Sequence, residues 1–163
     1  MPPLDPFVPN ADQPWDARRV QHFYQRIGLA ASREQVVQGL AMSPSELADS
    51  VIDGLLAAPD PTPPIWANWS WADYEDNNDL YFEHKYEFRL RWMREMIEEG
   101  LRAKLALFWH NHFVTEEVVY DCNSFMWAYY LLLHKNALGN FRTFVEEMGK
   151  NPAMLVYLNG NIN

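Results

Sequence analysis

Apolar residues recur every three or four positions along most of this 163-residue chain, which is the spacing of an amphipathic helix. The first such run lies between Asp16, which can cap a helix, and Gly28, which can end one in the left-handed conformation. Ser32 and Ser43 each precede a Gln or Glu by three positions, which is the spacing of a capping box. The pattern predicts helices at about 16–27, 33–41, 44–57, 82–99, 101–113 and 116–135, and shorter ones after Asn140 and Asn151. No stretch alternates like a strand, so the predicted fold is all-α, an irregular array of roughly seven helices.

Two stretches interrupt this helical pattern and divide the chain. Residues 1–15 hold five prolines and predict an extended arm, in which Phe7 and Trp15 are candidate partner contacts. Residues 59–79 mix proline, tryptophan and acidic residues without a period and predict a loop, whose Trp66, Trp69 and Trp71 are further candidate contacts. We therefore expect N-terminal helices within residues 16–58 and a helical core segment within residues 80–163, together forming one domain.

The segment LRAKLALFWHNHF, residues 101–113, is where the sequence points most strongly to chemistry, because two histidines sit among aromatic and aliphatic residues. On a helix, His112 shares an arc with Leu101 and Leu105, whereas His110 lies roughly 200° away. Both arcs are apolar, so the pattern predicts a helix that is buried on both sides. The two imidazoles would then be neutral, and each would need hydrogen-bond partners.

These histidines allow two interpretations. In the first, His110, His112 and Glu116 hold a transition metal or act as acid–base groups, although a spacing of two points the rings apart unless the helix ends between them. In the second, which is favoured, both rings donate to carbonyls or carboxylates and fix how the helices pack. The remaining histidines fall nearer to predicted surfaces or helix ends: His22, His84 and His134.

Composition narrows the classes of function. Thirteen Lys and Arg residues against twenty-two Asp and Glu residues give a net charge of −9, which argues against nucleic acid binding because the phosphate backbone demands clustered positive charge. Cys122 is the only cysteine, so no disulfide forms within the chain and a buried, reduced thiol is expected. No apolar run has the length of a membrane span or a signal peptide, which favours a cytoplasmic protein.

The chain resembles the amino-terminal part of the bacterial family catalogued as domain of unknown function 1800. Three blocks in the family's order carry the resemblance: ARRVQHFYQRIGLAASREQVVQGL, KLALFWHNHFV and ALGNFRTFVEEMGKNPAMLVYLNGNIN. The resemblance implies a larger helical protein in which a Glu-rich helical segment follows Asn163, either as a continuation or as a second chain. It also implies relatives that are often exported, and it implies no particular activity.

Two classes of function follow from these observations. A structural or assembly protein would use its Pro-rich arm and Trp-rich loop to contact other subunits, in an oligomer or with the remaining portion of the same protein. An enzyme would use the WHNH histidines in metal-dependent or acid–base chemistry, and its site would be completed by a further C-terminal portion. The assembly hypothesis is favoured, and the sequence does not decide whether the protein is an enzyme.

Overall fold

The computed structural model describes residues 5–75, 77–98 and 100–162, and this part of the chain is helical without any strand. The all-α prediction is confirmed, with more helices than the roughly seven expected. None of the described helices is both long enough and apolar enough to cross a membrane. Residues 1–4 of the predicted arm, and residues 76, 99 and 163, lie outside the described part. The described helices are α1 (Ala17–Ile27), α2 (Arg33–Leu40), α3 (Pro44–Ala57), α4 (Asn78–Glu98), α5 (Leu101–His112), α6 (Glu117–Tyr120), α7 (Asn123–Lys135), α8 (Phe141–Met148) and α9 (Pro152–Tyr157), with a 3₁₀ turn at Trp71–Tyr74.

The predicted caps begin the first three helices. The carboxylate of Asp16 accepts a first-turn backbone N–H at 2.9 Å. Ser32 and Ser43 both form complete capping boxes, in which the side chain three residues later accepts from the serine N–H at 2.8 Å. Each such cap contributes about 1 kcal/mol. Gly28 does end α1, but its φ of −141° is not left-handed, so that detail of the prediction is wrong.

The predicted helix at 116–135 is two helices, because the chain breaks at Asp121. This residue has a φ of 39° and a ψ of 48°, in the left-handed region. Its Oδ1 accepts from the hydroxyl of Tyr81 at 2.7 Å and from Nζ of Lys85 at 2.6 Å, both on α4. Aspartate tolerates this conformation better than most residues do, and the two hydrogen bonds hold it there. Periodicity alone carries no sign of this contact, which explains the wrong prediction.

The core is built around α7, which packs against α4, α5, α8 and α9. Most of its buried side chains are aromatic, and they include Tyr130 and Phe144 from the helices. The loop before α4 also contributes, because Trp66 is only 1% exposed and packs edge-on against Phe88 and Trp127. The high tryptophan content of the chain is therefore used in part to fill this core.

Two basic residues in the first turn of α5 hold the N-terminal helices against the core. The guanidinium of Arg102 donates from Nη1 to the carbonyls of Ala58 and Pro59, just after α3, at 3.2 and 2.6 Å. The ammonium of Lys104 likewise donates to backbone carbonyls at the end of α1. Since the carbonyl end of a helix carries partial negative charge, both cations also interact favourably with the helix dipoles. Lys104 Nζ lies 2.8–3.2 Å from three carbonyl oxygens, those of Gln25, Arg26 and Gly28.

Candidate functional site

His110 is half-buried on the side of α5 that faces α7. Its Nδ1 lies 2.9 Å from the hydroxyl of Tyr129, and that hydroxyl donates its own proton to the carbonyl of Phe113 at 2.8 Å. The hydroxyl must therefore accept from His110, which assigns the proton to Nδ1. Burial lowers the pKa of His110, so the ring is neutral. The geometry agrees with a packing role, in which the imidazole ties the end of α5 to α7.

His112 lies on a different side of α5, as the helical spacing predicted, but it is exposed. Its ring contacts the aromatic rings of Trp109 and Phe113 edge-on. The prediction that α5 is buried on both sides is wrong, because Phe108 is 57% exposed and His112 is exposed, although the His112 ring lies 6.4 Å from that of Phe141 in α8. The packed sides of α5 contact α3, α4 and α7.

The predicted metal ligands do not form a cluster in the structure. Glu116, the third of them after His110 and His112, is exposed in the segment that leads into α6. Within residues 5–75, 77–98 and 100–162, no group of three or more His, Cys, Asp or Glu side chains is arranged to hold a metal ion. The metal hypothesis for these three residues stays a prediction, and it lacks a converging ligand set in the described chain.

The predicted arm contacts its own chain. Trp15 is half-buried, and its indole N–H donates to the carbonyl of Gly39 in α2 at 2.9 Å. Phe7 is exposed, lies 6.4 Å from the Trp15 ring and takes the guanidinium of Arg19 over its face at 5.6 Å. Of these two predicted partner contacts, Phe7 is the more accessible.

The three tryptophans of the predicted loop have different environments. Trp66 lies in the core and stacks on His84 with ring centroids 5.7 Å apart. Trp69 is half-buried and meets the same imidazole edge-on at 5.3 Å. Trp71 is exposed and covers the ring of Tyr81 at 4.8 Å. Only Trp71 therefore presents a substantial free surface, whereas Trp66 is inaccessible to a partner.

An exposed and regular apolar surface lies along α4. Five large apolar side chains point outward at successive spacings of four, four, three and four residues, which places them in one stripe on the helix. They are 44–72% exposed, whereas the five buried residues of α4 lie outside the stripe: Tyr81, His84, Lys85, Phe88 and Glu95. We call the five exposed residues the α4 stripe: Phe82, Tyr86, Leu90, Met93 and Ile97.

An ion cluster beside the α4 stripe, where Lys85 Nζ also lies 5.9 Å from the centre of the Phe82 ring, joins α4 to α6. Lys85 Nζ lies 2.6 Å from Asp121 Oδ1 and 3.0 Å from Glu117 Oε1, and Arg89 pairs with the second oxygen of Glu117 at 3.0 Å. Burial alone would lower the pKa of Lys85, but the hydrogen bonds and charges of the two carboxylates outweigh it and raise the pKa. The cluster pairs two cations with two anions and holds α4 in one rotation against α6.

A second polar network joins α4 to the start of α7. The side-chain amide of Asn123 donates to the hydroxyl of Tyr74 and to the carbonyl of Tyr81, at 3.1 Å in both cases. The Tyr74 hydroxyl in turn lies 2.9 Å from Nδ1 of His84. Burial lowers the pKa of His84, so this buried imidazole is neutral and accepts the tyrosine proton at Nδ1. These hydrogen bonds all lie within the fold, which indicates a structural role, although Oδ1 of Asn123 has no partner among the described residues.

Sequence reasoning missed both the α4 stripe and the most buried histidine. The periodicity predicts a helix at 82–99 but does not separate Met93 and Ile97, which are exposed, from Phe88, which is buried. The sequence did contain a signal for the stripe, because apolar residues recur on nearly every side of α4. The rest of the chain cannot cover all of these sides, so one of them stays exposed. His134 was expected near the surface and is instead 2% exposed, more buried than His84.

Comparison with known proteins identifies a family of unknown function. A family model described as protein of unknown function, DUF1800, matches residues 22–163. No curated protein and no solved structure matches the chain. The match covers all of the described helices except the first residues of α1.

Proposed function

We propose that this chain, which belongs to the DUF1800 family of proteins of unknown function, is a helical assembly module that pairs with a second copy of itself through the α4 stripe. The observation that carries the proposal is the exposure of five large apolar side chains in one line on a single long helix. Contiguous exposed apolar surface of this kind marks interaction sites in soluble proteins.

The stripe suits a two-fold arrangement because it is nearly symmetric about Leu90. If two α4 helices pack antiparallel with Leu90 against its own copy, Phe82 falls opposite Ile97 of the second copy. In the same register Tyr86 falls opposite Met93. Each large ring then faces a flexible aliphatic side chain, and the same patch serves both subunits, as an isologous interface requires.

The charges beside the stripe support this antiparallel register. Glu87 and Arg94 are both exposed and lie on the same edge of α4. In an antiparallel pair an edge meets the same edge of the other helix, so Glu87 of each copy falls opposite Arg94 of the other. Two symmetric ion pairs would then flank the apolar contact, which favours this register over a parallel one.

The size of the stripe is adequate for a weak dimer. From Phe82 to Ile97 it runs roughly 22 Å along the helix axis. Five side chains of this size, about half exposed, offer on the order of 500 Å² per subunit. A symmetric pair would bury about 1,000 Å², the lower end of what a specific interface needs. Phe7 and Trp71 are exposed at other places and offer smaller additional contacts.

Sedimentation velocity over a range of protein concentrations tests the proposal directly. We expect the wild-type chain to dimerise reversibly, and Met93→Glu to weaken the dimer roughly tenfold or more because a charge would be buried at its centre. Val37→Glu is the matched control, since it introduces the same charge at an exposed apolar position on α2. Circular dichroism of each variant checks that helix content is unchanged.

A charge exchange tests the antiparallel register. Glu87→Arg and Arg94→Glu should each weaken the dimer, because each places like charges opposite one another, and the double variant should restore it. A wild-type chain that stays monomeric at every soluble concentration would refute the second copy as the occupant. A dimer that responds to Val37→Glu as strongly as to Met93→Glu would place the interface elsewhere.

The two other hypotheses stay predictions. Continuation of the protein beyond Asn163 by a further helical segment is not needed for the α4 pairing. The enzyme hypothesis, with His110, His112 and Glu116 as metal or acid–base groups, has no supporting ligand cluster among the described residues. The assembly function is the one proposed because the exposed α4 stripe supports it.

A further inference from the structure

An apolar pocket lies between the Pro-rich arm, α1 and α3. Its volume is about 450 Å³, which is within the usual range of binding pockets. The indole N–H of Trp15 is already used, because it donates to the carbonyl of Gly39, so Trp15 contributes its ring to the pocket. We call this cavity the arm pocket. Six apolar residues line it: Pro6, Phe7, Trp15, Phe23, Pro44 and Ala48.

Three basic residues of α1 supply the ionisable side chains that the structure describes in the arm pocket. Arg19, His22 and Arg26 recur at spacings of three and four, so they share one side of the helix. Arg19 is partly committed, because its Nη1 donates to the carbonyl of Pro14 at 2.8 Å and its guanidinium lies over Phe7. His22 and Arg26 are exposed and have no ion pair with a described residue. The arm pocket therefore combines an apolar lining with positive charge that is available to an anion.

The turn at residues 70–75 has the opposite charge and an exposed aromatic ring. Trp71 is 51% exposed, although one side of its indole packs on Tyr81 with ring centroids 4.8 Å apart. The carboxylate of Asp73 accepts from the backbone N–H of Ser70 at 2.7 Å, which stabilises the turn that carries Trp71. Asp73 and Glu75 are both exposed, and residues 61–83 contain no Lys, Arg or His. We call residues 70–75 the acidic turn.

The arm pocket and the acidic turn are complementary in charge and in chemistry. α1 holds three arginines, one histidine and no acidic residue, although the chain as a whole has a net charge of −9. A tryptophan suits the pocket because its ring is large and apolar, while its indole N–H needs an acceptor. Ser45 is exposed and lines the pocket, so its hydroxyl can be that acceptor. Trp71 rests on Tyr81 of α4 and does not line the arm pocket of its own chain.

We propose that the arm pocket of one copy of this chain binds Trp71 of a second copy, with Asp73 and Glu75 of the second copy facing Arg26 and His22 of the first. The pocket and the turn are different surfaces, so the contact is heterologous and repeats from head to tail. It does not involve the α4 stripe, and it therefore holds whether or not two α4 helices pair. Where both contacts form, α4 dimers are linked into larger assemblies.

A contact anchored by one tryptophan is small. The anchor itself buries about 150–250 Å², whereas a stable and specific interface needs about 1,000 Å² or more in total. We therefore expect weak association that is measurable at high protein concentration. Added salt should weaken it further, because the ion pairs at the pocket are exposed and are screened by ions.

Complementation between two defective variants is the primary test, because only a heterologous contact allows it. Both variants are made in the Met93→Glu chain, so that α4 pairing does not contribute. Trp71→Ala removes the anchor and keeps the pocket, whereas Arg26→Glu reverses the charge at the pocket and keeps the anchor. In sedimentation velocity, each variant alone should associate roughly tenfold or more weakly than the Met93→Glu chain. An equal mixture should recover dimers that do not grow further, because one intact pocket meets one intact Trp71.

Ile65→Ala and Arg142→Glu are the matched controls. Ile65 is 82% exposed in the same loop as Trp71, and Arg142 is exposed on α8. Neither substitution should change the association, and circular dichroism checks that all variants keep their helix content. The Met93→Glu chain also separates this proposal from the proposed α4 dimer. Absence of α4 pairing leaves head-to-tail association unchanged, and absence of head-to-tail association leaves the effect of Met93→Glu on the wild-type dimer unchanged.

Zero-length cross-linking locates the contact. Arg26→Lys keeps the positive charge and supplies an amine, which a carbodiimide joins to a neighbouring carboxylate. In a mixture of isotope-labelled and unlabelled chains, we expect isotopically mixed cross-links between position 26 and Asp73 or Glu75. Cross-links confined to single copies would overturn the proposal. So would a Met93→Glu chain that stays monomeric at every soluble concentration, undiminished association of Trp71→Ala, a mixture that recovers no dimer, or equal losses in the control variants.

Discussion

Replacement of Lys85 by methionine measures how much the ion cluster between α4 and α6 contributes to stability. The substitution keeps a long unbranched side chain but removes the ammonium that lies 2.6 Å from Asp121 and 3.0 Å from Glu117. Breaking a buried pair by removing one partner costs about 3–5 kcal/mol when the remaining charge cannot reach water. The Asp121 side chain is 49% exposed, so water can partly solvate it. We therefore expect a loss of roughly 2–3 kcal/mol in the free energy of unfolding.

Urea denaturation at neutral pH measures this loss, and Arg89→Met provides a matched control. Arg89 lies one turn further along α4 and binds the same Glu117, but its side chain is mostly exposed. An exposed ion pair contributes at most about 1 kcal/mol, so Arg89→Met should have a small effect. If Lys85→Met cost no more than Arg89→Met, the reasoning that burial decides the strength of this cluster would be refuted.

The pH dependence of stability gives an independent check on the same cluster. Burial alone would raise the pKa of Asp121, but its hydrogen bonds from Lys85 and Tyr81 outweigh burial and lower it below 3.8. A carboxylate with a lowered folded pKa adds stability above its unfolded pKa and loses it as the pH falls through the folded value. Lys85, whose pKa is raised above 10.5, adds stability below that value and loses it at higher pH. The difference between wild type and Lys85→Met should therefore be largest between these limits and shrink below about pH 4.

Further predictions concern glycines and histidines. Gly39→Ala should lower the free energy of unfolding by roughly 1–3 kcal/mol in urea titrations, because the added Cβ would lie 2.6 Å from Cγ1 of Val20. Gly54→Ala in α3 should instead raise it by roughly 0.5–1 kcal/mol, because nothing lies within 4 Å and alanine favours helix; a loss at Gly54 would contradict this. His110→Gln should lower the melting temperature because its contact with Tyr129 on α7 is lost, whereas His112→Gln should not, because His112 is exposed. Elemental analysis checks the packing interpretation. A stoichiometric metal that is present in the wild type and lost in both variants would contradict that interpretation and support the metal hypothesis.

Features that depend on neighbouring residues could be predicted from the sequence. Ser32 and Ser43 begin helices because a capping box needs only the serine and a side chain three positions later. The all-α class follows from periodicity for the same reason. Asp121 differs, because its left-handed conformation depends on hydrogen bonds from α4, 36 and 40 positions earlier in the chain. Local patterns contain no information about contacts at that separation.

The candidate sites were harder to predict because burial is a property of the assembled fold. His112 shares its helical arc with Leu101 and Leu105, which are half-buried, yet its own ring at the end of α5 is exposed. His134 lies in the last turn of α7, where a sequence suggests a cation near the helix end, but α3 and α5 enclose it. Helical spacing gives the direction of each side chain, and only the positions of other helices determine what it meets.

The contacts of Arg102 and Lys104 have a consequence for how the protein opens. Both residues lie in one turn of α5 and hold the ends of α3 and α1, so these helices cannot leave the core separately without breaking the contacts of that turn. We expect the backbone amides of α1–α3 to exchange with solvent as one cooperative unit, at a free energy below that of global unfolding. Because the contacts of Lys104 are partly exposed and electrostatic, added salt should accelerate this exchange before it affects the amides of α7.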